Sequence, residues 1–522
     1  MPRYKEYSYE QTKMIPISYS RQILPGSFEY ALDQIIEHEI DLSVFKERYH
    51  NDATGAPAFD PAILLKIILY AYSRGVMTSR KIAALCEENV IFMALSADTH
   101  PYFTTIADFI SSMGKEITVL FKEVLLICDE MELIGRDMFA VDGCKLPSNA
   151  SKEWSGTRAD FEKKQKKFEK AISYMVERHG SSDTKESAGE AIADYREGHI
   201  QSLRNKAEKI RKWLSENDDR RGTTGKVIQS NMTDNESGKM PTSHGVIQGY
   251  NGVAAVDGRH QVIVHAEAIG SGQEHDLLEP MLEGTKENLQ VIDDIKEEGT
   301  KDVLEGTKVV ADSGYHSEAN MKMLFEQKID AYIADNLFRK RDPRFAEADR
   351  FRGRLHTKKR APEKENGLFK PADFVYDKEH GTCICPNGKE MKKEGDGVVI
   401  QGYRAVRFKS SVRACKSCTL RSRCLRNAAS KFRQVNFFEK GGSSPIRDSF
   451  TKKMMKKIDS ATGRFIYSRR MGIVEPVFAN IRSTRGLNRF TLRSKVKVNI
   501  QWLLYCIVHN IGKIHACGAA YT

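Results

Sequence analysis

The stretch MFAVDG, residues 138–143, decides the fold. Met138 to Val141 is a short apolar run, and it reads as a buried strand that delivers a carboxylate, Asp142, at its C-terminal end. TKVVADSGYHS, residues 307–317, repeats the pattern: Val309, Val310 and Ala311 form a buried strand that ends in Asp312. Between them, VIQGYNGVAAVD (246–257) and QVIVHAEAI (261–269) read as two strands, with Gly258-Arg259-His260 as the tight hairpin that joins them. A helix over 276–298 precedes the Asp312 strand. A helix from about Ser317 to Gln327 and a strand IDAYIAD (329–335) follow it. The fold class is therefore α/β, a mixed sheet flanked by helices. If its first strand is central and neighbours the fourth, Asp142 and Asp312 emerge side by side.

Two close carboxylates repel, and at neutral pH they want divalent cations between them. Glu475 is the only acid between Ser460 and Thr522. It is read at a helix start, GIVEPVFANIR, where Val474, Val477, Phe478 and Ile481 pack inward. Asp142, Asp312 and Glu475 together could hold two Mg²⁺ or Mn²⁺ ions, the arrangement that serves in-line phosphoryl transfer. Taken singly, a strand-end Asp is commonly a turn former; the ordered set carries the reading.

Outward from these motifs, residues 1–132 read as a helical N-terminal domain, a candidate for DNA binding or assembly. Asp60-Pro61 forms a cap and first turn there, and Arg74-Gly75 separates two helices. Residues 133–335 plus 460–515 form the core. Within it, 151–225 is a charged helical insertion. Residues 336–459 read as an irregular, basic, cysteine-bearing insertion. The last stretch, 465–514, fits two helices, and the stripe of Ile500, Leu503, Leu504, Ile507, Val508 and Ile511 belongs to the core.

The chain has 522 residues, 82 Lys and Arg against 70 Asp and Glu, and a net charge of +12. Residues 451–500 hold 13 of those bases and only Asp459 and Glu475 as acids, so this window alone carries +11. Such a face meets a polyanion, most commonly nucleic acid. Its candidate DNA contacts are Arg470, Arg482, Arg485, Arg489, Arg493 and Lys495. With 40% apolar residues, global disorder is excluded. No run of about 18 uncharged apolar residues suggests a membrane span. The opening MPRYKEYSYEQ lacks the apolar stretch of a secretory signal, so a cytoplasmic location is expected.

Ten cysteines in such a chain argue against a disulfide framework, and five of them crowd between 383 and 424. Cys385-Pro-Asn-Gly and Cys415-x-x-Cys418 are tight turns that aim thiolates at one point. With Cys424 they make four ligands for tetrahedral Zn²⁺ in a zinc-ribbon-like insert, and Cys383 is an alternative to Cys385.

These motifs resemble the DDE transposases of bacterial insertion sequences. The matching pieces are FAVDG (139–143), GYNGVAAVD (249–257), VVADSGYHS (309–317) and VEPVFANIRSTRGLNRFTLRSK (474–495). The N-terminal run from Phe59 to Leu95 and TTIADF (104–109) add to them. The resemblance implies an RNase H-like core and a metal-binding triad of Asp142, Asp312 and Glu475. It further implies DNA cleavage at element ends, then strand transfer into double-stranded target DNA by at least a dimer. One departure concerns the Tyr-Arg-Glu-Lys pattern of related enzymes. Tyr467, Arg470 and Glu475 are present, but the Arg-to-Glu spacing is one residue longer, and Arg482 stands where the Lys would be. Two other readings share these residues: a non-catalytic zinc-containing DNA-binding protein, and an endonuclease that cuts without joining.

Overall fold

The strand that MFAVDG begins, β1, runs from Met138 to Pro147 in the computed structural model. The structure describes residues 10, 16–51, 56–182, 190–221, 225, 227–243, 245–296, 303–345, 368–400, 403–427, 429–438 and 449–518. The chain divides into two units, residues 1–335 with 460–522, and residues 336–459.

Among the described residues, six α-helices lead into β1: α1 (Phe28–Gln34), α2 (Pro61–Ser73), α3 (Ser79–Glu88), α4 (Val90–Leu95), α5 (Phe103–Ser112) and α6 (Glu116–Glu130). Asp60 caps α2, its side chain accepting from the Ala62 N–H at 2.8 Å, and Pro61 takes the first helical position. Gly75 turns the chain between α2 and α3 at φ +74°, a conformation that favours glycine. Residues Leu64 to Tyr72 are all buried, so α2 is enclosed rather than amphipathic. Its one charge, Lys66, pairs with Asp33 at 3.0 Å and Glu37 at 2.6 Å.

After β1 come β2 (Ser155–Gly156), a helical hairpin of α7 (Arg158–Ser182) and α8 (Glu190–Glu216), and β3 (Ser230–Asn231). Phe161, Ile210 and Trp213 form the hairpin's own buried cluster. β4 (Gly238–Thr242), β5 (Gly245–Asp257), β6 (Ile263–Ile269), α9 (Leu278–Ile295), β7 (Lys308–Ala311), α10 (Glu318–Glu326) and β8 (Asp330–Ile333) complete the main sheet. Its order is β6-β5-β1-β7-β8, with β4 pairing the first part of β5. β1 is antiparallel to β5 and parallel to β7, and β7 is parallel to β8.

Three sequence expectations are corrected here. Asp142 does not end its strand: β1 continues five residues beyond it, because β5 stays paired as far as Pro147 whereas β7 stops at Ala311. The expected irregular stretch within 336–459 holds a five-stranded antiparallel sheet, β9 (Val375–Asp377), β10 (Thr382–Ile384), β11 (Glu390–Ile400), β12 (Tyr403–Lys409) and β13 (Gln434–Phe438). Lysines and glycines interrupt the alternation that would have marked its strands. This unit also has short helices α11 (Val412–Lys416) and α12 (Arg421–Cys424), and then α13 (Phe450–Asp459). Finally, Glu475 does not begin a helix; it lies late in α14 (Ala461–Ala479), with Pro476 inside that helix. Proline has no N–H for the Gly472 carbonyl four residues earlier. The Gln261 side chain supplies one instead, donating to Gly472 O at 2.9 Å.

The last helix, α15 (Lys495–Cys517), packs against β6 as well as α1, α2, α5 and α6, so residues 1–132 share one unit with the sheet. Of its expected apolar stripe, Ile500, Leu504, Ile507, Val508 and Ile511 are buried and Leu503 is half-buried. Asn499 donates to Ala268 O at 3.1 Å and accepts from Ala268 N at 2.7 Å. Asn510 does the same with Ile263, at 2.9 Å for both bonds. Two side-chain amides thus satisfy backbone groups of β6. Among the described residues no helix is long and apolar enough to cross a membrane.

Gly249 marks a tight crossing in the sheet: a Cβ built there lies 2.0 Å from Leu146 O. Gly249→Ala is expected to destabilise the fold by about 1–3 kcal/mol, since backbone must move to admit the methyl. An unchanged midpoint in thermal and urea denaturation would show that the crossing yields freely.

Candidate active site

The register Val141↔Ala311 between parallel β1 and β7 places Asp142 and Asp312, the next residue on each, at one level of the sheet. Asp312 leads into a short 3₁₀ turn, Ser313–Tyr315, but its side chain caps no N–H there. The turn is closed by the backbone instead, with Tyr315 N donating to Asp312 O at 3.1 Å. Neither carboxylate is consumed by local turn formation in the way a structural Asp usually is.

Helix α14 packs across β1, β7 and β8 and brings Arg470 to this point. The Arg470 Nη1 donates to Asp142 Oδ2 at 2.6 Å, and Nη2 lies 3.8 Å from Asp312 Oδ1. Asp142 Oδ1 accepts from the Gly143 N–H at 2.8 Å. The guanidinium is buried, with 9% of its side chain exposed, while Asp312 is 43% exposed. Burial pushes the Asp142 carboxyl up to about 6, and the neighbouring Asp312 adds to the rise; Arg470 and the Gly143 N–H oppose it. Arg470 stays charged, its guanidinium held above the ordinary range by Asp142 and Asp312 against the cost of burial.

Residues that sequence reasoning missed complete the surroundings. Tyr315 is fully buried, and its hydroxyl sits in the combined field of Glu274, Asp142 and Asp312. Glu274 pairs with Lys145 at 3.2 Å, and its carboxylate occupies the space a Cβ on Gly314 would need, 2.0 Å away. A side chain at position 314 would displace the end of Glu274. Nothing in the loop sequence around Glu274 signals that role, since a single acid in a polar turn is ordinary.

The other candidates are placed as follows. Glu475 is exposed on α14, five residues beyond Arg470 and so roughly 140° around the helix from it. The structure joins Asp142 to Asp312 through Arg470 and does not bring Glu475 into that group. Arg470 is a buried carboxylate partner rather than a surface contact. Arg485 is also interior: it donates to Asn480 Oδ1 at 2.7 Å, and burial lowers it to about 10, which withdraws it from the DNA-facing set. Arg482, Arg489, Arg493 and Lys495 are exposed. Arg489 and Arg493 donate to the carbonyls of Ser148 and Asn149 just after β1, at 3.2 and 2.8 Å, and Lys495 pairs with Glu267 at 2.7 Å.

Among the described residues, no group of three or more His, Cys, Asp or Glu is arranged to hold a metal ion. The chemistry of the Asp142–Asp312 pair nonetheless suits a hard divalent cation. Two carboxylates share a single buried guanidinium, and burial together with the second carboxylate pushes Asp142 up to about 6, a strain that a cation would relieve.

The folded chain binds the Asp142 proton more tightly than the unfolded chain does. This group's contribution to stability is therefore present below about pH 4 and is lost as the pH rises through about 6. Asp142→Asn is expected to melt higher than the wild type at pH 8 without divalent ions, the advantage shrinking towards pH 5. Scanning calorimetry across that range checks this, and a lower melting temperature for the variant at pH 8 would mean that the Arg470 pair outweighs the burial cost.

Two family models match the chain, one described as a transposase domain over residues 18–112 and one as a transposase DDE domain over residues 384–515. The second match takes in Glu475 and the four candidate cysteine ligands. The search of curated proteins returns no match. The two domain matches, one in each half of the chain, indicate a DDE-type transposase of an insertion sequence.

Proposed function

We propose that this transposase cuts DNA at the ends of its element and joins them to target DNA by metal-dependent phosphoryl transfer. The observation that carries the reading is the pair of carboxylates, Asp142 and Asp312, at one level on neighbouring parallel strands, sharing one buried arginine. The strand order β6-β5-β1-β7-β8, three antiparallel strands followed by two parallel ones, supports an RNase H-like core.

Asp142 and Asp312 would hold two Mg²⁺ or Mn²⁺ ions; Glu475, which the fold leaves exposed about 140° around α14 from Arg470, would have to be brought to them to serve as the proposed third ligand. Bound there, such ions activate the attacking oxygen and stabilise the leaving one. The residues of the chain do the rest. Asp142 must lose its proton before it can serve as a ligand, so binding weakens below about pH 6. Arg470 keeps the two carboxylates oriented and partly neutralised. Exposed Arg482, Arg489, Arg493 and Lys495 offer positive charge to the DNA backbone close to β1. In the first step a water oxygen bonds to phosphorus and the element's 3′ oxygen leaves as a hydroxyl. In the second, that hydroxyl attacks a target phosphate and displaces the target's 3′ oxygen. Joining two element ends in one event calls for at least two chains on the DNA.

Purified protein incubated with labelled element-end DNA, a target plasmid and Mg²⁺ tests the reading. The wild type should yield both nicked ends and joined products, and Asp142→Ala and Asp312→Ala should each lose both by a factor of a thousand or so, the scale on which transition-state charge stabilisation acts. Cleavage without joined product would favour the endonuclease reading. Equal activity in the wild type and both variants would refute the site.

A further inference from the structure

The second unit gathers four of its thiols around one small space. Cys385, Cys415, Cys418 and Cys424 all line one cavity, although they are not drawn together as a finished metal site. Much of the remaining wall is apolar, including Phe369, Pro386 and Leu420. A turn, two short helices and the link between those helices carry the sulfurs. Cys385 opens a Cys-Pro-Asn-Gly turn in which Gly388, at φ +70°, donates its N–H to Cys385 O at 2.8 Å. Cys415 lies in α11, whose N-terminus Ser411 caps, and the Cys418 carbonyl accepts from Arg421 N at 3.2 Å. Cys424 ends α12.

The sequence left Cys383 and Cys385 as alternatives, and the structure separates them. Cys383 is fully buried in an apolar cluster with Phe374, Met391, Val406, Phe408 and Val435, its sulfur 3.9 Å from that of Met391. Cys385 lies beyond the end of β10, in the turn, and faces the cavity. The neighbouring arginines act as braces: Arg421 donates to Cys415 O at 2.9 Å and Arg433 to Cys424 O at 3.2 Å. Burial and the neighbouring thiols push the Cys424 thiol up, and Arg433 opposes that rise.

We propose that Cys385, Cys415, Cys418 and Cys424 form a structural zinc site that staples the second unit. Four sulfur donors suit Zn²⁺ rather than a hard cation. Among the described residues, the unit's apolar cluster holds six buried residues, and Cys385 and Cys424 pack at its margin. A core this small gains most from a cross-link among its loops. The site is separate from the carboxylate pair, and its metal content does not depend on whether the first unit cuts DNA.

The test is elemental analysis of untagged, full-length protein purified without chelator, together with mass-spectrometric mapping of alkylated cysteines before and after zinc removal. One zinc per chain is expected in the wild type, in Asp142→Ala and in Cys383→Ala, and at least a tenfold loss in the Cys415→Ser/Cys418→Ser double variant. In the wild type, chelation should expose Cys385, Cys415, Cys418 and Cys424 to alkylation together, a result that stands even if the double variant fails to fold. Replacement of zinc by Co²⁺ should give the intense near-ultraviolet absorption of cobalt–thiolate bonds. Wild-type protein that lacks zinc, carries iron instead, or exposes a different set of cysteines on chelation would overturn the assignment, as would zinc that survives the double substitution.

Discussion

A guanidinium buried between two aspartates is the constraint around which the first unit is arranged. Arg470 comes from α14, Asp142 from the central strand and Asp312 from the end of its parallel neighbour, so three elements distant in sequence must meet within ion-pairing reach. A buried ion pair contributes little net stability, because desolvation offsets most of the attraction. What it does impose is specificity: removing Arg470 leaves the Asp142 carboxylate uncompensated in the interior. Asp142 already shows the imbalance, since one arginine does not offset the combined effect of its burial and its acidic neighbour. Surplus negative charge at the meeting point of strand and helix is a poor design for stability and a suitable one for binding a cation.

The rest of the unit holds that meeting point in place. α14 must lie across the sheet with a proline in its interior, and a side chain from the hairpin before β6, Gln261, supplies the donor that the proline lacks. α15 then fixes β6 through two asparagine amides three helical turns apart. On its other side it meets the N-terminal helices, where Tyr505 stacks on Tyr72 with ring centroids 4.8 Å apart. The two ends of the chain therefore build one core, and the helices before β1 cannot be regarded as an appendage.

Basic residues serve two distinct purposes in this protein. In the second unit, Arg421 and Arg433 turn inward to hold backbone carbonyls around the cysteine turns. In the first, Arg470 and Arg485 are interior, while Arg482, Arg489, Arg493 and Lys495 remain at the surface. A net charge of +11 over residues 451–500 thus overstates the cationic face available to a polyanion, because part of it is spent on internal carboxylates and amides.

Local pattern alone determined much of the fold. Short apolar runs at 139–141 and 309–311 announce strands whatever surrounds them, Asp60-Pro61 announces a helix start, and the Cys-Pro-Asn-Gly and Cys-x-x-Cys spacings announce turns. Each depends on chemistry within a few residues of chain. What only the tertiary structure decided depends on partners far away. β1 outlasts Asp142 because β5 continues beside it, and α14 runs through Pro476 because Gln261 reaches it. Arg470, rather than Glu475, faces the aspartates because helical rotation sets which side of α14 meets the sheet. Cys385 and not Cys383 reaches the cavity because one lies in a turn and the other in a packed strand. A sequence states which residues carry charge or sulfur; whether a given one points inward, outward or at its counterpart is settled by long-range packing, which local pattern does not encode.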